Sequence, residues 1–226
     1  MQDTCITCSS CGARTAAIAP SRRFYVSLGG YDGNGARNVQ TGLQAAPTFN
    51  GYRFQIGETG TAWLLGPENL PGAFAVGAWD QTGTLTLSPP QRAVTQNGTH
   101  GVYAFASQRL WRGNGDGDTR GVSGFMQLGA NDSRTMIATR YVGLGVTAFG
   151  VIPRRSQDSL GAGIAWSGLN RNRNLRPNEL LLQFYDQIQV SGSVYLQPTL
   201  TISPNPGEKT ARAPAVAFTL QSTVLF

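Results

Sequence analysis

The chain is 226 residues long, 40% hydrophobic and 13% charged, with 29 Gly, 12 Pro and a formal net charge of +6. No stretch reaches the eighteen or so consecutive apolar residues of a membrane-spanning helix, so no such helix is encoded. All 18 basic residues except Lys209 are Arg, and they are scattered, with small groups only at Arg22–Arg23, Arg154–Arg155 and Arg171 to Arg176. A nucleic-acid-binding face would cluster that charge, so nucleic acid is not an expected partner.

The first 22 residues stand apart from the rest of the chain. All three cysteines fall in "CITCSSC" (Cys5, Cys8, Cys11), and nothing downstream completes a zinc or iron–sulfur site opened by the C-x-x-C spacing. The segment lacks the basic and apolar regions of a secretory signal peptide. It is expected to be a non-homologous or disordered N-terminal segment, with the folded portion running over 23–226.

From Arg23 onward the sequence predicts strands about ten residues long between turns. "RRFYVSLGGY" opens the series, and a loop or weak strand comes next over "DGNGARNVQTGLQAAPTFN". Then come "GYRFQIGETGTAWLL", "GAFAVGAWDQTG", "THGVYAFASQRLWR" and "GVSGFMQLGAND". The series continues with "RYVGLGVTAFGVI", "LGAGIAWSGL", "NELLLQFYDQIQV", "GSVYLQPTLTIS" and "PAVAFTLQSTVLF". That makes ten clear strands. In the later ones a period of two is plain: Leu180, Leu182 and Phe184 oppose Glu179, Gln183 and Tyr185, and Val142, Leu144 and Val146 oppose Tyr141, Gly143, Gly145 and Thr147.

The second face of each strand is polar but nearly uncharged. A β-sandwich normally puts Lys and Glu on its outer faces, whereas strands of a membrane barrel alternate apolar-out and polar-in over about 9–11 residues. Trp63, Trp111, Trp166 and Phe226 fall near strand ends, as interfacial girdles require. The expected fold is all-β, an antiparallel meander of an outer-membrane β-barrel. A secreted β-sandwich that binds polysaccharide is the alternative.

Several ordered segments then carry a specific resemblance. "LPGAFAVGAW" (Leu70 to Trp79), "YAFASQRLWR" (Tyr103 to Arg112), "GVIPRRSQDSLGAGIAW" (Gly150 to Trp166) and "YLQPTLTISPNPG" (Tyr195 to Gly207) resemble motifs of the carbohydrate-selective porins, the OprB family. Arg154 stands where that family usually has Gly. Members close a barrel of about sixteen strands behind a signal peptide, and this chain supplies about the C-terminal ten. On that reading it is a C-terminal fragment from a truncated or mis-started frame, and its open edges would leave backbone groups unpaired in lipid at several kcal/mol each. A working pore is then expected to need the missing strands, closure on itself or a partner.

The resemblance implies passive diffusion of mono- or oligosaccharides across the bacterial outer membrane, without an enzyme's chemistry and without a cofactor. It also implies contact with outer-membrane lipid, a possible homotrimer, and recognition by the barrel assembly machinery through the last strand, which ends at Phe226. Sugars call for planar hydrogen-bonding groups and aromatic faces. The lumen candidates are accordingly Arg53, Gln55, Glu58, Trp79, Tyr103, Arg109, Trp111 and Gln127. Glu58 is the awkward member, because alternation groups it with Phe54, Ile56, Ala62 and Leu64, an expected lipid face where a charge is expensive. A bulge near Gly57 or Gly60, or pairing at a subunit interface, would accommodate it.

No catalytic or metal-binding residues are expected. One His, His100, allows no Ser/His/Asp grouping, and four Glu with eight Asp, mostly in loops, give no glycosidase-like carboxylate pair. "GNGDGDTRG" spaces Asp116 and Asp118 like the start of a calcium loop but lacks the downstream Glu, and so reads as a polar hairpin loop.

Overall fold

The computed structural model describes residues 5–9, 13–33, 51–87, 94–113, 118, 120–170, 175–207 and 213–225. Among these the chain forms one antiparallel sheet of twelve strands whose spatial order is the chain order. The strands are β1 Cys5–Ser9, β2 Ala13–Ser21, β3 Phe24–Asp32, β4 Arg53–Leu65, β5 Leu70–Leu87 and β6 Val94–Arg112, then β7 Gly121–Asn131, β8 Ala138–Phe149, β9 Ser159–Leu169, β10 Asn178–Ser191, β11 Val194–Ser203 and β12 Ala215–Val224. Ten of these lie beyond Arg23, the number that alternation indicated. The sheet is open, because β1 and β12 are its edges and do not pair with each other. No helix among the described residues is long and apolar enough to cross a membrane.

The segment expected to stand outside the fold carries two of the strands. Ala13–Ser21 pairs with β3 from Ala13↔Tyr31 to Ser21↔Phe24, and Cys5–Ser9 pairs with β2. Small residues fill β2 ("ARTAAIAPS"), so its alternation has almost no hydrophobic contrast for a sequence reading to detect. The cysteine side chains, Asp116 and Phe226 lie outside the described residues.

Register fixes which residues share a face. Glu58 lies opposite Gly77 and Gly77 opposite Tyr103; the row continues through Gly129, Tyr141 and Ser167 to Glu179. On the other side, Phe74, Ala106, Met126, Leu144, Ile164, Leu182, Ile202 and Val216 form an unbroken apolar row from β5 to β12. The sheet therefore has one polar and one apolar face over at least eight strands.

Among the described residues no hydrophobic core lies between layers. Ala75 is the one buried hydrophobic residue among those described, whereas Leu144 is 45% exposed and Phe218 70% exposed. Water would make this apolar face costly, at about 25 cal/mol for each Å² left uncovered. A lipid surface removes that cost, and a sandwich would have covered the face with a second sheet, which the described residues do not form.

Among the described residues the three shortest turns share one rim, which also carries the longer connections 113–120 and 150–158. Turns at 22–23, 66–69 and 192–193 lie on one rim, together with the end of β12, where the Leu225 amide donates to the Ser193 carbonyl. Connections 33–52 and 204–214 lie on the other.

The connection at 150–158 is tied down by charge. Arg155 donates to Asp158 and, at 3.0 Å, to Asp186 Oδ2, and Asp158 Oδ1 accepts the Gln189 amide at 2.7 Å. Beside it, Arg154 is held at φ 66°, in the left-handed region that glycine tolerates best. Arg154→Gly is therefore expected to stabilise the protein by about 1 kcal/mol, read as a higher urea midpoint for the folded form.

Across the 113–120 hairpin, Asp118 accepts from the Arg120 amide at 2.9 Å and from its guanidinium at 2.7 and 3.0 Å. The hydrogen bonds from Arg120 hold this carboxyl down at about 2. A depressed carboxyl contributes its stabilisation above its ordinary value near 4 and loses it as pH falls through the folded value. The expected result is an Asp118 carboxylate that stays ionised from pH 7 to 4, with an NMR titration midpoint near pH 2.

Candidate functional site

Glu58 organises the polar face. Gly57 and Gly60 stand in unbroken register with both neighbouring strands, so no bulge turns Glu58 inward. It belongs to the polar face outright, and the residues grouped with it by alternation, Phe54, Ile56, Ala62 and Leu64, share that face. The apolar face of β4 is the other parity, which carries Trp63 and Leu65.

Both carboxylate oxygens of Glu58 accept tyrosine hydroxyls. Tyr25 on β3 donates to Oε1 at 2.5 Å and Tyr103 on β6 to Oε2 at 2.8 Å. One side chain thus joins strands on either side of it, across β5. Glycine makes the approach possible: a Cβ at Gly60 would collide with the Tyr25 ring, and one at Gly77 with the Tyr103 ring. Each tyrosine lies flat over a glycine of the adjacent strand, an arrangement that also covers glycine's exposed backbone. Tyr185 lies in the same way over Gly161, and its hydroxyl is 2.9 Å from Thr147 Oγ1.

Aromatic rings cross the same face nearer the long-loop rim. Tyr31, Phe54 and Trp79, on β3, β4 and β5, have successive centroid separations of 5.9 and 5.8 Å. Toward the short-turn rim, Arg109 donates to Ser123 Oγ at 3.5 Å, and its guanidinium carbon lies 5.3 Å from the Phe149 ring centre, within cation–π range. Gln127 Oε1 accepts from the Tyr141 hydroxyl at 3.4 Å.

Five of the eight residues singled out from sequence, Glu58, Trp79, Tyr103, Arg109 and Gln127, therefore share one face. The other three are not brought to it. Arg53 and Gln55 lie on the opposite face of β4, opposite Asp32 and Asp80 respectively, where they belong to a polar belt at the long-loop end. Trp111 is displaced by a bulge: Arg109 pairs with Ser123, yet Trp111 pairs with Val122, so two residues of equal parity part to opposite faces. Tyr25, Tyr31 and Phe54 were missed. Facing glycines at Gly60 and Gly77 were the only sequence trace of the tyrosine contacts, and they become readable only with the register.

Trp63, Trp111 and Trp166 all sit on the apolar face, the first two toward the short-turn rim and the third toward the other. Trp63 Nε1 donates to Gln108 Oε1 at 2.8 Å, the pairing expected of an amphipathic ring at a boundary. Among the described residues no group of three His, Cys, Asp or Glu is placed to hold a metal ion.

A single antiparallel meander with one aliphatic face and one face of tyrosine, glycine and polar side chains has the make-up of the wall of an outer-membrane β-barrel. The sequence matches the carbohydrate-selective porin, OprB family, over residues 8–226, and the chain belongs to that family. The solved structure described as the high pH structure of Pseudomonas putida OprB superposes with a TM-score of 0.82 at 17% identity, over 94% of this chain and 58% of that one. The low pH structure of the same protein gives 0.60 at 18% identity, over 94% and 55%. This chain thus spans little more than half the length of either. Among curated proteins no relative matches.

Proposed function

We propose that the chain forms part of the wall of an outer-membrane channel through which sugars diffuse passively and selectively, without chemistry or a cofactor. The observation that carries this reading is the division of faces: aliphatic side chains with no core above them on one side, and the Glu58–Tyr25–Tyr103 cluster, Gln127 and Arg109 on the other. The apolar face then meets lipid, and the polar face lines the path of the solute. Hydroxyl and carboxylate groups on a wall exchange hydrogen bonds with sugar hydroxyls at little net cost, so a sugar passes without being trapped. The terminal strand, apolar on one face through Val216, Phe218, Leu220 and Val224, is the segment offered to the barrel assembly machinery.

The open sheet shapes the test. Residues 24–226 are joined behind the preceding strands of the Pseudomonas putida protein, the product is folded into vesicles, and swelling is followed in isosmotic sugar. The expected result is swelling in glucose that outpaces swelling in a larger sugar such as raffinose, with little from the chain alone. A graft that folds and leaves vesicles tight to glucose contradicts the reading.

A further inference from the structure

We propose that Tyr31, Phe54 and Trp79 form a stacking site for the apolar face of a pyranose ring, placed ahead of the Glu58–Tyr103 pair; the inference rests on the channel reading above. Three aromatic rings in a row usually mean a core or a membrane girdle, and neither applies here. Ala75 is the one buried hydrophobic residue among those described, so no core formed by the described residues lies above the three rings. Girdles occupy the lipid-facing side, which here is held by Trp63, Trp111 and Trp166, whereas these rings share the face of Glu58 and Tyr103.

Their setting keeps ring surface available. A Cβ at Gly101 would stand 2.6 and 2.7 Å from Trp79 indole atoms, and one at Gly29 2.8 Å from the Tyr31 ring. Both rings therefore rest against the wall over a glycine, and all three side chains remain half-buried rather than enclosed. The run crosses three adjacent strands in two steps of nearly equal length, 5.9 and 5.8 Å, so a ring leaving one surface meets the next.

Chemistry selects the ligand. A pyranose has a C–H face and a hydroxyl edge, matching an aromatic surface beside polar groups. Trp79 lies two residues from Gly77, the partner of both Glu58 and Tyr103, which is about 7 Å along a strand. Each Glu58 oxygen accepts one tyrosine and keeps a second lone-pair direction for a sugar hydroxyl. A linear polyol supplies the hydroxyls without the C–H face, and so lacks half of the recognition.

The full chain, refolded in detergent micelles, is tested by saturation-transfer NMR with methyl β-glucopyranoside and with sorbitol. Wild type is expected to saturate H1, H3 and H5, the hydrogens of one ring face, and to favour the glucoside. The Phe54→Leu/Trp79→Leu variant is expected to raise the glucoside dissociation constant about tenfold. Phe54→Tyr/Trp79→Phe retains binding, and Trp166→Leu, on the apolar face, leaves it unchanged. An unaltered constant in the leucine variant, equal binding of sorbitol, or no glucoside binding by wild type overturns the stacking site. Glucose swelling by the graft separates the two readings: swelling without any of these binding effects overturns the stacking site alone, and neither swelling nor binding overturns both.

Discussion

Leu144→Arg is expected to destabilise the folded protein in lipid by about 2–4 kcal/mol, the cost of a cation near the midplane of a barrel's outer face. Leu144 lies mid-strand on β8, between Met126 and Ile164, with 45% of its surface exposed. Its row is apolar on every strand from β5 to β12. Gln127→Arg, one strand away on the opposite face, is expected to cost under about 0.5 kcal/mol, as exposed substitutions usually do. Urea unfolding in phospholipid vesicles, followed by the mobility shift of the folded form, measures both. Equal costs for the two variants would mean that the faces do not differ in solvent.

The second large effect centres on Glu58. Glu58→Leu leaves the Tyr25 and Tyr103 hydroxyls without their acceptor, which stands 2.5 and 2.8 Å away. Hydrogen bonds to a charged group contribute about 1.5–3 kcal/mol when sheltered, and partial solvent access lowers the expected loss to roughly 1–2 kcal/mol. Tyr103→Phe removes one of the two bonds and should cost about half as much. In the double variant the losses should fall short of their sum by about 0.5 kcal/mol or more, because the two groups share an interaction. Strict additivity would show that Glu58 does not act as the bridge between β3 and β6.

Much of this arrangement can be read from alternation, and the places where it cannot share one cause. On β8 to β12 each strand carries aliphatic residues on one parity and small or polar residues on the other, so Leu180, Leu182 and Phe184 declare their face unaided. On β4 both parities carry apolar side chains, because the polar face holds Phe54 and Ile56 while the apolar face opens with Arg53 and Gln55 at its end. Hydrophobicity alone therefore assigned the faces of β4 in reverse and made Glu58 look misplaced. Trp111 escaped because a bulge between Arg109 and Trp111 leaves no composition signal. The Tyr25–Glu58 and Glu58–Tyr103 contacts depend on register over separations of 33 and 45 residues, which local pattern does not encode.

The division of faces is tested most directly by its four tryptophans. Two variants each keep one of them, Trp79 or Trp166, with the other three replaced by Phe, and are folded into vesicles of lipid brominated high in the acyl chains. Bromolipid should quench Trp166 strongly and leave Trp79 bright, and aqueous iodide should do the reverse. Trp79 quenched by bromolipid as strongly as Trp166 would contradict the account, because the Glu58 face would then lie against lipid rather than water.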